Sequence, residues 1–324
     1  MFTYLKCGVD SNKVAKLNKN IKNYLGEKNG KSFAGIIEHP ILKEYYLACC
    51  CDGIGSKIIA LKETNNIKTI VTDLLAMNFN DLCCIGASPL FFADYLAVNN
   101  LDVNFTSELI LELKTQLEQK YNCILACGET SQLRDIITKN NFDISGFAVG
   151  IVRKDKLIKY EDKVKENNDI IGLCSNGIHA NGFSLIRKLY SENLLSEIEY
   201  KQTLNPCHIY LKKVIELNEK NLINGIANIT GGGLEENISR IIPKHLCAKL
   251  IKSNIKNDKF KNLFNKLISL VGEREAYNTF NMGVGLCLIV DKTKTKEVLS
   301  LCKEYNPFIF GEIIRDEDCN FCFG

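Results

Sequence analysis

The chain has 324 residues, 46% of them hydrophobic and 24% charged, a composition typical of a soluble globular protein with room for two domains. The 41 basic and 38 acidic residues leave a net charge of +3, which is too small to predict nucleic acid or an anionic membrane as the main partner. No hydrophobic run approaches the length of a membrane span, and the first residues, "MFTYLKCGVD", do not resemble a secretion signal.

The fifteen cysteines are odd in number and lie in apolar runs such as "YYLACCC" and "GVGLCLIV". Neighbouring cysteines on a strand point to opposite faces, so these runs predict buried, reduced thiols and a cytoplasmic protein rather than a disulfide framework. Cys319 and Cys322 form an isolated Cys-x-x-Cys pair. A structural zinc site normally needs two further ligands, so this pair alone does not favour a metal.

The elements alternate between strand-like and helix-like patterns, which predicts an α/β or α+β protein. Near the N-terminus, "SNKVAKLNKNIKNYLGEKNGK" predicts a helix whose lysines face solvent. Strands are predicted at residues 46–51, 69–71, 91–98, 123–127 and 144–152. Helices are predicted at 73–85 and 106–121. A charged stretch then predicts a boundary between two domains, at 1–166 and 167–324. The second domain contains the strand-like runs "IIGLCS", "IANIT", "LCAKLI", "GVGLCLIV" and "PFIFGEII".

The stretch "ACCCDGIGSK" carries an apolar strand into an acid, two glycines, a serine and a lysine. Asp52 would stand at the strand end, and Gly53 and Gly55 would let backbone amides approach a ligand closely. Ser56 offers a hydroxyl group, and Lys57 offers a cation for phosphate. An ordinary Asp-Gly turn is the alternative interpretation.

A polar stripe marks the helix that follows, within "TDLLAMNFNDLCCIG". Asp73, Met77, Asn80 and Asp81 are spaced i, i+4, i+7 and i+8 and therefore share one face, while leucines occupy the other directions. Acids are seldom buried without partners, and Mg²⁺ prefers oxygen ligands. The stripe predicts a magnesium site completed by a polyphosphate, with a solvent-facing stripe as the alternative.

A third acidic element is "CILACGETSQL", in which an apolar strand ends at Gly128, Glu129 and Thr130. Glu129 repeats the arrangement of Asp52, a carboxylate at a strand end beside glycine. We expect Asp52, either Asp73 or Asp81, and Glu129 to converge on metal ions that hold a nucleoside triphosphate.

The second half contributes glycine loops. "NITGGGLEEN" runs from a strand through Gly231, Gly232 and Gly233 into a predicted helix, whose first amides suit an anion. "SNGIHANGFS" places His179 between two glycine-bearing turns. A lone histidine is usually structural, but the asparagines on either side make this one a candidate for polar recognition or proton handling.

Taken together, these stretches resemble the phosphoribosylformylglycinamidine cyclo-ligase family over nearly the whole chain and in the expected order. The resemblance also runs through "GASPLFFADYLA", "FDISGFAVGIV", "ITGGGLEENISRIIP" and "TFNMGVG". It implies ATP-dependent ring closure of formylglycinamidine ribonucleotide to aminoimidazole ribonucleotide, with Mg²⁺. It also implies a two-domain fold of the aminoimidazole-ribonucleotide-synthetase type, in which N-terminal domains pair into a β-barrel across a homodimer.

The resulting site prediction has three groups of residues. The catalytic groups are Lys57, His179 and Asp52. The nucleotide contacts are Gly53, Gly55, Ser56, Asn80, Gly128, Thr130, Gly231, Gly232 and Gly233. The magnesium ligands are drawn from Asp52, Asp73, Asp81 and Glu129.

The sequence also departs from the family pattern. Cys51 stands where a threonine or serine is usual, Cys127 replaces a glycine, and Asn278 replaces an arginine. Alternatives are therefore an inactive nucleotide-binding homologue, a thiamine-monophosphate kinase or a selenophosphate synthetase. Cys7 faintly resembles the reactive cysteine of selenophosphate synthetases.

Overall fold

The computed structural model describes residues 2–10, 13, 16–17, 20–21, 24 and 32–324. The predicted lysine-rich helix lies largely outside the described residues. Two β-sheets, one in each half of the chain, form the framework of the described part.

The first sheet has the strand order β1-β2-β5-β3-β4. Its strands are β1 (Gly35–Glu38), β2 (Tyr45–Gly53), β3 (Ser88–Val98), β4 (Ile124–Gln132) and β5 (Phe142–Arg153). All neighbours are antiparallel except β3 and β4, which run parallel. Helix α3 (Val103–Tyr121) makes the crossover that a parallel pair requires, after α1 (Lys57–Glu63) and α2 (Ile67–Cys84).

The second sheet has the order β11-β8-β10-β6-β9-β7. Its strands are β6 (Asp169–Cys174), β7 (Gly225–Asn228), β8 (Leu246–Leu250), β9 (Val284–Val290), β10 (Phe308–Arg315) and β11 (Phe321–Phe323). The helices of this half are α4 (Tyr160–Lys163), α5 (Phe183–Ser191), α6 (Glu197–Thr203), α7 (Leu211–Glu219), α8 (Gly233–Ser239), α9 (Lys261–Val271), α10 (Glu273–Thr279) and α11 (Thr295–Leu301). Each strand-like run predicted for this half falls on a strand.

One predicted strand is wrong. Residues 69–71 belong to helix α2, which begins earlier than predicted because the side chain of Asn66 accepts a hydrogen bond from the backbone N–H of Thr69 at 3.1 Å. The β-branched run Thr69-Ile70-Val71 favours a strand locally. Burial of Ile70 and Val71 in the core overrides that preference.

Helix α2 is buried around most of its circumference because it packs between the first sheet and the second half of the chain. The amide of Asn80 binds the second half at two points, donating from Nδ2 to the carbonyl of His208 at 2.9 Å and accepting at Oδ1 from the N–H of Tyr210 at 2.9 Å. Asn80, one member of the predicted polar stripe, therefore joins the two halves.

The same joint holds a buried ion pair. Lys57 Nζ lies 2.7 Å from Asp73 Oδ2, and neither side chain is exposed. Lys57 also donates to the carbonyl of Asn205 at 2.6 Å, and Asp73 Oδ1 accepts from the N–H of Cys207 at 2.7 Å. Because each member of the pair also binds the backbone of residues 205–207, the pair fixes that segment against α2.

A continuous hydrophobic core links the halves, since one cluster contains Leu74 and Phe79 of α2 together with Leu173 and Leu217 of the second half. Among the described residues, no helix is long and apolar enough to cross a membrane.

The ion pair yields a stability prediction. We expect Lys57→Met to cost about 3–5 kcal/mol of unfolding free energy, because it leaves the Asp73 carboxylate buried without its cation. Adding Asp73→Asn, which keeps an acceptor for Cys207, should recover much of this loss in denaturant titrations.

The matched control is Lys201→Met, because Lys201 and Glu197 form an ion pair of similar length, 2.6 Å, that is 67–69% exposed. Loss of this solvent-screened pair should leave the denaturation midpoint close to that of the wild type. Equal destabilisation by Lys57→Met and Lys201→Met would contradict the importance of the buried pair.

Candidate active site

A row of residues across the first sheet brings two carboxylates to one face. Asp52 on β2 pairs with Gly146 on β5, Gly146 pairs with Asp94 on β3, and Asp94 pairs with Gly128 on β4. Residues directly opposite each other in a sheet point to the same face. Asp52 and Asp94 therefore share a face, two strands or about 10 Å apart.

The two glycines of this row are required by close packing. A Cβ atom at Gly146 would lie 2.1 Å from Cζ of Phe92 and 2.8 Å from Nδ2 of Asn78. A Cβ atom at Gly128 would lie 2.4 Å from Oδ1 of Asp94. Gly128, predicted as a nucleotide contact, thus makes room for the Asp94 carboxylate.

Asp81 joins this face from helix α2. The side-chain N–H of Asn228, at the end of β7, donates to Asp81 Oδ1 at 2.9 Å. The acid also interacts electrostatically with Asp52 and with Arg240. Because Asn228 lies two residues before the glycine loop 230–233, this contact brings that loop of the second half beside the acids.

The three carboxylates share one electrostatic property. Burial raises the pKa of Asp81 to about 7, although its hydrogen bond from Asn228 opposes the rise. Burial raises the pKa of Asp94 to about 6. The surrounding protein also raises the pKa of Asp52, against the effect of the Gly53 N–H that donates to Oδ1 at 2.8 Å. Raised values indicate acids that lack sufficient positive charge, which suits a cation-binding site.

Glu129 is not brought together with these acids. It pairs with Tyr95 across β3 and β4, one position beyond the row, so its side chain lies on the opposite face of the sheet. Thr130 lies on the same face as the acids, opposite the buried Leu96. Within the described part of the chain, no three acid, histidine or cysteine side chains form a complete metal site.

Asp73, Lys57 and Asn80 have protein partners at the joint between the halves. Their contacts account for their burial, so they position the segment 205–210, and their predicted part in nucleotide binding and catalysis stays a prediction. Ser56 lies at the same joint, with its hydroxyl oxygen 3.1 Å from that of Ser184. Gly55 just before it has a φ of +68°, which glycine adopts without strain.

His179 is buried near Lys57 and His208, and its side chain is tied to the backbone. Its Nε2 accepts from the N–H of Asn176 at 3.1 Å and from the N–H of His208 at 3.4 Å. Burial holds its pKa well below the usual value, with the charges of His208 and Lys57 adding to the effect. The imidazole is therefore neutral, and its catalytic role stays a prediction beside the structural one.

Asn237 holds the glycine loop 230–233 in place through hydrogen bonds to its backbone. The side-chain amide of Asn237 donates to the carbonyls of Thr230, Gly231 and Gly233 at 3.4, 3.2 and 2.8 Å. With its carbonyls held in this way, the loop keeps a fixed shape. Gly231 and Gly232 retain solvent exposure, as a contact with a ligand requires.

The departures Cys51 and Cys127 do not touch the acidic row. Cys51 pairs with Phe147 and Cys127 pairs with Ala93, which places both cysteines on the sheet face opposite Asp52 and Asp94. Sequence reasoning missed Asp94, Asn228 and Arg240 as site residues. For Asp94 a signal existed, because a single acid within the apolar run "FFADYLA" is unusual in a strand.

The raised pKa of Asp81 predicts a pH dependence of stability in metal-free buffer. Near pH 4 the carboxyl is protonated in the folded protein, whereas above about 7 it is ionised at an energetic cost, so its contribution falls as pH rises between these values. We expect Asp81→Asn to be more stable than wild type at pH 8, with the difference shrinking toward pH 5 in thermal melts. Asp135→Asn, an exposed control, should show no such trend, and parallel curves for the two variants would refute the prediction.

Comparison with known proteins identifies the family of this chain. Residues 34–152 and 165–321 match the N-terminal and C-terminal domains of AIR synthase related protein. The chain is 38% identical over 311 residues to the phosphoribosylformylglycinamidine cyclo-ligase of Clostridium perfringens, covering 92% of each chain. It is 33% identical to the Methanococcus vannielii protein of that name, covering 97% of this chain and 92% of that one.

Solved structures share the fold at low identity. The complex of AaThiL with AMPPCP and TMP has a TM-score of 0.66 at 14% identity, covering 95% of this chain and 92% of that one. T. maritima PurL complexed with FGAR has a TM-score of 0.62 at 15% identity, covering 94% of this chain and 48% of that one. The sequence relatives decide the grouping: this chain belongs to the phosphoribosylformylglycinamidine cyclo-ligase family.

Proposed function

We propose that the protein closes the imidazole ring of aminoimidazole ribonucleotide in purine biosynthesis. It uses ATP to convert formylglycinamidine ribonucleotide and releases ADP and phosphate. The observation that carries the proposal is that Asp52 and Asp94 share one face of the first sheet, while Asp81 interacts with Asp52 and binds Asn228 near the glycine loop. The chain's relatives bear the name of this ligase.

The three acids would hold Mg²⁺ with the phosphates of ATP. Mg²⁺ is usually bound by one or two carboxylates together with substrate phosphates rather than by a cage made wholly of protein, which fits an incomplete set of ligands. When bound, the ion would neutralise negative charge that develops on the transferred phosphoryl group. Glu129 and Asp73 remain proposed ligands but are less well placed, because Glu129 lies on the opposite face of the sheet and Asp73 is paired with Lys57.

A cavity suited to the nucleoside lies next to this site. It has a volume of about 300 Å³ and is lined by Phe33, Tyr46, Tyr160 and Ile85, among others. Ile85 follows Asp81 by four residues, about one helical turn. The guanidinium of Arg240 lies 5.1 Å from the centre of the Phe33 ring and interacts with Asp81, so it stands between cavity and acids. The base of ATP would occupy the cavity and its phosphates the acidic face.

The reaction itself requires activation and positioning. The formyl amide oxygen receives the phosphoryl group of ATP, which turns it into a good leaving group. The amidine nitrogen then attacks the same carbon, a C–N bond forms, and phosphate leaves. Holding nitrogen and carbon in contact removes much of the entropic cost of ring closure. In this proposal, the glycine loop and the joint between the halves would supply that positioning.

The alternatives receive less support. A selenophosphate synthetase needs an activated cysteine, whereas burial raises the pKa of Cys7. The likeness to thiamine-monophosphate kinases, at 13–14% identity, extends to the fold alone. We further propose a cytoplasmic protein, since all fifteen cysteines are free thiols, and a domain boundary at residues 166 and 167, between the two sheets.

The activity test uses purified protein, formylglycinamidine ribonucleotide, ATP and Mg²⁺, with aminoimidazole ribonucleotide and ADP as measured products. We expect Asp52→Asn and Asp94→Asn to lower kcat about 10²–10³-fold, because each removes charge that faces the phosphoryl group. Asp162→Asn, an exposed change on α4, should leave kcat unchanged.

Near-normal turnover in both Asp52→Asn and Asp94→Asn would remove these acids from the site. ATP turnover that depends on thiamine phosphate or selenide, and not on formylglycinamidine ribonucleotide, would reject the proposed reaction.

The outer face of the first sheet supports a homodimer. Phe91, Tyr95 and Phe147 are 38%, 44% and 42% exposed on this face, and Ile124 beside them is 63% exposed. A contiguous apolar face of this kind marks an association surface. Pairing it with a second copy would bury these side chains and close the sheets into the barrel expected for the family.

We expect Phe147→Glu to convert the dimer to a monomer, because the change places a charge at the centre of the apolar face. Light scattering coupled to size exclusion measures the mass directly. Ile198→Glu, at an equally apolar but isolated position that is 73% exposed on α6, is the control and should remain dimeric. A monomeric wild-type protein would overturn the proposal.

A further inference from the structure

Three cysteines meet at the edge of the second sheet, away from the acidic site. Cys247 lies on β8 and Cys322 on β11, and their sulfur atoms are 3.7 Å apart. Cys319, just before β11, also lies beside Cys247. The Cys-x-x-Cys pair noted in the sequence is thus part of a group of three thiols.

This group is not explained by metal binding or by the proposed reaction. Within the described residues, these three thiols are not placed so that they could together ligate a metal ion. The strand order places β11 at one edge of the second sheet and β7, whose Asn228 contacts Asp81, at the other edge. The chemistry that remains for adjacent thiols is their oxidation.

We propose that Cys247 and Cys322 form a disulfide bond when the protein meets a hydroperoxide. A disulfide requires a sulfur–sulfur distance of about 2.05 Å, so the two atoms need to approach by roughly 1.6 Å. Strand β11 can supply this movement because it has three residues and, as an edge strand of the sheet, pairs with β8 alone.

The two steps balance in atoms and electrons. The Cys322 thiol attacks the hydroperoxide, which is reduced to an alcohol or to water, and the sulfur becomes a sulfenic acid. The Cys247 thiol then attacks that sulfur, the S–S bond forms, and water leaves. Cys322 reacts first because it is partly exposed, whereas Cys247 is fully buried.

The bond would tie the last strand to the body of the domain. Phe321 of β11 packs in the same cluster as Leu234 and Ile238 of α8, the helix that follows the glycine loop. Oxidation would therefore fix the packing behind that loop. The inference concerns this edge of the sheet and does not depend on the proposed reaction.

The experiment treats the full-length protein with hydrogen peroxide under native conditions, blocks the remaining thiols with an alkylating reagent and maps linked peptides by mass spectrometry. We expect two of the fifteen thiols to be lost, with Cys247 linked to Cys322, and a rise in melting temperature that dithiothreitol reverses. Cys322→Ser should abolish both effects.

Cys319→Ser is the matched control and should still form the bond, because the proposed pair does not include it. Cys302→Ser, which removes a buried thiol elsewhere, should also behave as wild type. A link between Cys319 and Cys322 alone, no link at all, or a thermal shift that persists in Cys322→Ser would each overturn the proposal.

Discussion

The buried contact between Lys57 and Asp73 is the constraint on which the arrangement of this protein depends. Two opposite charges are removed from water together, and each uses its remaining capacity to bind the backbone of residues 205–207. Their desolvation cost is offset only while both partners and these backbone groups are in place. The contact therefore fixes how the first sheet and helix α2 meet the second half of the chain.

The acidic face follows from this joint. Asp81 lies on the same helix as Asp73, and its hydrogen bond from Asn228 forms only because α2 and β7 are held side by side. The carboxylates of Asp52 and Asp94 come from the sheet beneath. One helix thus has two tasks: part of its polar stripe binds the protein, and another part faces the place proposed for phosphate and metal.

Much of the fold could be predicted from the sequence, because apolar runs of strand length and helical spacing are local signals. Strands β6 to β10, and the glycine loops between them, followed directly, whereas the three-residue strand β11 was not predicted. What the sequence could not show was the partner of each polar side chain. Asp73 and Asn80 lie within about 20° of each other on a helical projection, and Asp81 lies about 80° from Asp73. The projection does not name their partners: contacts across more than 120 residues tie Asp73 and Asn80 to residues 207–210 and bring Asp81 to the acidic face.

The alternation of side chains along a strand affects which amino-acid substitutions such a protein can accept during evolution. In β2 and β4, residues that differ by one position lie on opposite faces of the sheet, one inward with the acidic row and one outward with the exposed apolar side chains. Cys51 and Cys127 lie next to Asp52 and Gly128 in the chain but behind them in space. Unusual residues can therefore accumulate at the outward positions while the inward chemistry is preserved.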